Sequence, residues 1–317
     1  MILCNSIRNN NYNLCVLVLQ KSKMKKTATI VFQTAAFTQQ IYRKCIFVLS
    51  LVLISIYAAA NPPLATKQQI GMFKNSKTCV VMDGGMSFYN TPVKDAVQKY
   101  WKSTEFEFID QTEFAKRKTN PKYSFLVMMD GAYDKDPGGV SYNYMSLVLG
   151  DGSGNLTKMP EFCSVPISYS GDNEADYEYI IPIVVKFMQI HVKNLEKDRL
   201  AISINGLRYY NKTGFNQKVL LLNKEKIVSA VDSPEKINAV IPNKVKLLTP
   251  ADIQKEITAN TANTLIHFHV GPPQDGGAGR CFEMLFDIDG NLYYYNFRKI
   301  TNDNPDGFNL NDINNIK

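Results

Sequence analysis

One succession of sequence signals occurs twice in this chain, and that constrains its fold more than any other feature. Residues 282–300 read as two apolar strands around Asp289-Gly290-Asn291, and Asp and Gly tolerate the positive φ that a tight hairpin demands. Residues 145–162 repeat the incoming strand, take a longer glycine turn, and leave by the same Gly154-Asn155-Leu156 that reappears as Gly290-Asn291-Leu292.

The stretches ahead of the two hairpins also match. The buried-strand run 79–83 ends at Gly84-Gly85 and corresponds to 219–223. Thr91-Pro92 opens a helix over 93–102 as Ser233-Pro234 opens its counterpart, because Pro suits the first helical position. The alternating stretch 105–109 matches 244–248, the short helix 111–118 matches 250–257, and the apolar strand 124–130 matches 264–270, which sets Val127 and Met129 at the places of His267 and His269. Each of those last strands runs into a Gly/Asp/Pro loop, 131–139 and 271–279, and equivalent positions lie about 140 residues apart.

The expected fold class is therefore α/β: two tandem, internally duplicated β-α-β-α-β-β-β-α sandwiches, each a mixed sheet with helices packed on it. Right-handed crossovers make the first three strands of each copy parallel, and the hairpin adds an antiparallel extension. The expected division is a first domain at 61–200, ending in a long apolar helix at 174–197, and a second at 201–317, with 205–217 as the boundary. Pro182 falls either in the first turn of that helix or at a kink. This order of elements is similar to that of the small α/β domains of TolB amino-terminal and curli-secretion CsgG type. The resemblance implies an envelope-associated role and no particular chemistry.

Residues 1–60 read as a leader. Arg43-Lys44 precede an apolar run at 45–57, and Ala58-Ala59-Ala60 supply small side chains for cleavage near Ala60, the pattern of a secretory signal peptide. The run falls short of the roughly 20 residues that span a bilayer, so no transmembrane span is expected in the mature chain. The leader also accounts for the charge. It holds seven basic and no acidic residues, and removing it from the 36 basic and 29 acidic residues of the chain leaves 29 of each. A basic stripe for nucleic acid is absent from that balance. Cys79, Cys163 and Cys281 remain after the leader, without close spacing, as one disulfide plus a thiol or as three buried thiols.

Candidate chemistry is sparse. His267 and His269 are two apart in a strand and share a face, so both imidazoles could reach one metal ion, with a third ligand from His191 or a distant carboxylate. The plainer alternative, a strand carrying two hydrogen-bonded histidines, is the one the pattern favours. Asp83-Gly84-Gly85 lacks the spacing of a phosphate loop, and Asp287–Asn291 lacks the closing Glu of a calcium loop. Tyr209-Tyr210, Tyr293-Tyr294-Tyr295 and Trp101 could form a stacking surface, or could simply be strand aromatics. No nucleophile motif appears, and no catalytic residue or cofactor is expected.

The resulting expectation is an exported, periplasmic or secreted, non-enzymatic protein with an interaction or structural role in the cell envelope, working through a protein partner or self-association. Two alternatives stand beside it. One is an exported metal- or His-dependent hydrolase using His267 or His269. The other is a small-ligand binder with a cleft between the 131–139 and 271–279 loops.

Overall fold

Ten strands form two five-stranded sheets in the computed structural model, which describes residues 63–85, 87–170, 177–212, 215, 217–273 and 277–316. The leader and its cleavage site lie outside the described residues. In the first sheet the strands are β1 (Lys77–Val81), β2 (Phe106–Ile109), β3 (Tyr123–Gly131), β4 (Tyr142–Leu149) and β5 (Glu161–Tyr169), in spatial order 2-1-3-4-5. In the second they are β6 (Val219–Asn223), β7 (Val245–Leu248), β8 (Thr264–Val270), β9 (Arg280–Phe286) and β10 (Leu292–Lys299), in order 7-6-8-9-10. The two orders are the same. In each sheet the first three strands are parallel and the last two antiparallel.

Helices flank the sheets: α1 (Lys67–Lys74), α2 (Ser87–Tyr100), α3 (Gln111–Arg117), α4 (Ile181–Asn205), α5 (Pro234–Asn238), α6 (Pro250–Thr258) and α7 (Leu310–Ile316). Local chemistry sets their ends. Thr66 and Gln69 form a reciprocal capping box, while Asp110, Ser233 and Thr249 each accept a backbone N–H from the first turn.

Two helices differ from the sequence expectation. Helix α2 begins at Ser87, ahead of Thr91-Pro92, and holds Pro92 in its interior. Tyr89 is fully buried, and the Asn90 amide pairs with both the N–H and the C=O of Asp83, so tertiary contacts outweigh the lost proline donor. Helix α4 starts at Ile181 after a 3-10 turn, with Pro182 in its first turn, and continues past the non-helical Asp198 to Gly206 at φ +55. Residues 171–176 of the expected start lie outside the described residues.

Backbone hydrogen bonds fix the equivalence of the copies. Thr78 N–H donates to Glu105 O and Lys77 N–H to Lys122 O, as Leu220 N–H donates to Lys244 O and Val219 N–H to Asn263 O. Thr78 thus corresponds to Leu220. Along β3 and β8 the match is one residue out of step with the sequence spacing, so Leu126 and Met128 stand where His267 and His269 do, and not Val127 and Met129.

The first-sheet face with Val80, Leu126, Met145 and Leu147 lies under α2 and α4 in the main core. Its equivalent in the second sheet, with Leu220, Leu222, Leu265, Leu285 and Tyr294, is covered by Ile237 of α5 and Ile313 and Ile316 of α7. The opposite face of the second sheet, with Ile266, Phe268, Phe282, Met284 and Phe286, joins the main core beside α4. An inner face of one copy therefore matches an outer face of the other. The copies stack head to tail, not about a two-fold axis. Pro62–Lys317 is one compact unit, and segment 205–217 is tied to its sheet: Lys212 N–H donates to Tyr293 O, and the Asn211 amide pairs with the backbone of Tyr295.

The closing hairpin packs closely on α4. Gly290 sits at φ +88, and a Cβ there would lie 2.5 Å from Lys186 Cβ and 2.8 Å from Phe187 N on α4. Gly290→Ala is expected to cost about 3 kcal/mol through left-handed strain and overpacking. Gly152→Ala, in the first hairpin with open space around it, should stay within about 0.5 kcal/mol. Urea unfolding of the two variants checks the contrast.

Candidate functional site

The chemistry-bearing side chains converge on the outer face of the second sheet. Strand periodicity puts His267 and His269 on that face of β8. Glu283 of β9 lies directly opposite His269, Asn296 of β10 opposite Glu283, and Arg298 opposite Cys281. Segment 301–309 then crosses the face and delivers Asp306, Gly307 and helix α7. Asn309 and Asp312 form a reciprocal capping box at the start of α7, which fixes the Asp312 carboxylate toward the sheet.

Glu283 is the hub. Its side chain is 0% exposed, and its Oε2 accepts from His267 Nε2 at 2.7 Å. Oε1 accepts from His269 Nδ1 at 3.0 Å and faces Arg298 Nη2 at 3.5 Å. Arg298 also reaches Asp312 Oδ2 at 3.0 Å and donates to the carbonyls of Pro305 and Gly307. Tyr294 and Asn296 donate to Asp312 Oδ1 at 2.8 and 2.9 Å. Phe308 is fully buried against the His267 ring. The cluster fastens the C-terminal segment onto the sheet.

Burial by itself would raise the Glu283 carboxyl, but the charge of His269 and the hydrogen bonds from both imidazoles outweigh it and hold the group down at about 2. Burial would likewise push His269 down, yet Glu283 and Asp306 hold its imidazolium up at about 9. Asp312 is raised, by burial first and by the Glu283 charge second, against Arg298, Asn296 and Tyr294.

The two histidines are not alike. His267 Nδ1 accepts the N–H of Asn223 at 3.3 Å, so its proton sits on Nε2 and is donated to Glu283. A cation on that Nε2 would require the proton to move to Nδ1, where it would face another N–H. His267, His269 and Glu283 do place ligand-type atoms within 4.8 Å of one another, but the His267 proton occupies the space between two of them. His269 has its second nitrogen, Nε2, buried and paired with Asp306 Oδ1 at 3.2 Å.

The other sequence candidates go elsewhere. His191, considered as a third ligand, lies on α4 with Nδ1 2.8 Å from the Tyr210 hydroxyl. Asp287 uses Oδ1 to accept the N–H groups of Asp289 and Asn291, which makes it a turn brace. Trp101, Tyr210, Tyr294 and Tyr295 are buried in the core, while Tyr209 and Tyr293 are half-buried at its edge. Cys79, Cys163 and Cys281 are free and buried.

Tyr142, the first residue of β4, joins Asp136 of the first glycine loop to Arg280, the residue of β9 that follows the second loop. Its hydroxyl donates to Asp136 and accepts from Arg280 N–H, with Lys299 Nζ bonded to Lys135 O alongside. Three depressions on the described surface are lined elsewhere, around Lys99 and Gln254, around Asn90 and Lys94, and around Lys74 and Lys122.

Sequence reasoning missed Glu283, Arg298, Asp306 and Asp312. Glu283 left one signal: it is the only charge within the apolar run 281–286, and a lone carboxylate in a buried strand needs partners. The other three lie in or beside a polar tail that looks like any solvated loop.

Glu283→Gln removes the charge that His269 and Arg298 face. A loss of about 3–5 kcal/mol is expected, read as a shift in the urea midpoint, and a loss under about 1 kcal/mol would contradict the hub assignment. His191 generates an acid-side prediction. Burial lowers it from 6.5 to about 4, so between those values the unfolded chain binds a proton that the folded one refuses. Stability present above pH 6.5 should fall by up to about 3 kcal/mol as the pH drops toward 4, and His191→Phe should flatten that slope. Comparison with family models, curated proteins and solved structures found no match to this chain.

Proposed function

We propose that this is an exported protein without a catalytic centre, acting as a structural or protein-binding component of the cell envelope. The observation that carries this reading is how the most concentrated set of titratable groups among the described residues is used. Glu283, His267, Arg298 and Asp312 bond one another and the C-terminal segment, and the Glu283 carboxylate has no exposed surface from which to meet a substrate. General acid–base work needs a group within hydrogen-bond reach of a substrate proton. The leader pattern, with its basic flank, short apolar core and Ala58-Ala59-Ala60, supports export to the periplasm or beyond. The bridge from Asp136 of the first glycine loop through Tyr142 to Arg280 at the end of the second favours a braced body over a ligand cleft.

The test is cross-linking in intact cells, followed by purification from the envelope fraction and amino-terminal sequencing. A mature terminus near Asn61 and a defined complex, with another envelope protein or with a second copy, is the expected result. A monomer in every fraction that hydrolyses ester or peptide substrates, and loses that activity with His269→Gln, would overturn the reading.

A further inference from the structure

We propose that His269 Nε2 and Asp306 Oδ1 are the protein ligands of a divalent transition-metal cation of the zinc class, bound where the 301–309 segment crosses the end of β8. Four observations support the site. Both atoms are buried and make no well-aligned hydrogen bond; they face only each other, as an imidazolium–carboxylate pair that a cation would enter by displacing the Nε2 proton. They stand 3.2 Å apart, close to the roughly 3.3 Å that separates two donors on one tetrahedral zinc with bonds of about 2.0–2.2 Å. On the far side of the ring, His269 Nδ1 is 3.0 Å from Glu283 Oε1, the carboxylate–histidine arrangement that orients a ligating imidazole and fixes which nitrogen holds the lone pair. Finally, Gly271 leaves room: a Cβ at that position would fall 2.5 Å from His269 Nε2 and 2.4 Å from Asp306 Oδ1, so any other residue would fill the ground between ring and loop.

Charge agrees with the geometry. The cluster holds three carboxylates, Glu283, Asp306 and Asp312, against one guanidinium, Arg298. The His269 imidazolium offsets one of the two excess negative charges, and a divalent cation that displaces its Nε2 proton would offset both. Lys226, the other cation near the loop, is engaged with Pro272 O at 3.2 Å. Asp306 is the most exposed member of the group, with 18% of its side chain accessible against 12% for Arg298, so the remaining coordination positions face the rim on that side. Such a cation would staple the loop to β8 and would leave His267, whose proton is committed to Glu283, outside the coordination sphere.

The experiment is titration of the chelator-treated full chain with zinc chloride by calorimetry, repeated with cobalt(II) followed by absorption. One equivalent is expected to bind, raising the unfolding temperature. Asp306→Asn, which alters only the rim of the cluster, should weaken zinc binding at least tenfold with an unchanged far-ultraviolet circular dichroism spectrum. Cobalt should give ligand-field bands without a thiolate charge-transfer band. Absence of zinc binding by the wild-type chain, equal binding by Asp306→Asn, or a thiolate band placing the metal on cysteine would each overturn the site. The cobalt spectrum decides even where the variant does not fold.

Discussion

A carboxylate with no exposed surface must be surrounded by donors or it will not stay ionised, and Glu283 imposes that demand on everything around it. Two imidazoles on the neighbouring strand and a guanidinium on the next strand meet the demand on the sheet itself. The guanidinium then needs acceptors of its own, and the carbonyls of Pro305 and Gly307 and the carboxylate of Asp312 supply them. Those acceptors are on the C-terminal segment. One buried charge therefore decides where the last sixteen or so residues of the chain lie, and the apolar contacts of Phe308, Ile313 and Ile316 fill in around that placement.

Head-to-tail stacking explains why the cluster occurs in the second copy and not in the first. The equivalent positions, Leu126, Met128 and Met145, line the face under α2 and α4, within a core of aliphatic and aromatic side chains. A charge there would be buried against hydrocarbon. In the second copy the equivalent face points away from the stack and is closed by a short helix and a polar loop, which can bring carboxylates and carbonyls. The same backbone thus accommodates an apolar core in one place and an ionic one in the other, according to what covers it. Two-fold packing would have presented equivalent faces to each other and removed this freedom.

Much of the fold was legible in the sequence because its signals are local. Turn residues at Asp289-Gly290, Pro234 after Ser233, and strand runs such as 264–270 each depend on a few neighbouring side chains, and the duplication let each copy support the other. What failed was decided by distant contacts. Nothing near Ser87 announces an extra helical turn, since Tyr89 and Asn90 earn it only by meeting the core and Asp83. The single-residue shift in equivalence between β3 and β8 is a matter of hydrogen-bond register, which identities too few to align cannot fix. At the site, His267 and His269 were visible as a pair, whereas Asp306 and Asp312 became partners only through the path of a loop whose composition reads as solvent-exposed.

The two histidines show why residue type and spacing underdetermine chemistry. They share a strand face, a carboxylate and near-complete burial, yet a single backbone N–H separates them. Asn223 stands at the end of β6, beside β8, and its amide hydrogen occupies the Nδ1 lone pair of His267. That forces the proton to Nε2 and makes the ring a donor to Glu283, with nothing left to offer an ion. His269 lies at the end of β8, beyond the reach of β6. Its Nδ1 turns to Glu283, and its Nε2 is directed at the loop. The strand register of β6, set by the parallel pairing far from either ring, therefore commits one histidine to the sheet and leaves the other with its second nitrogen facing the Asp306 carboxylate of the loop.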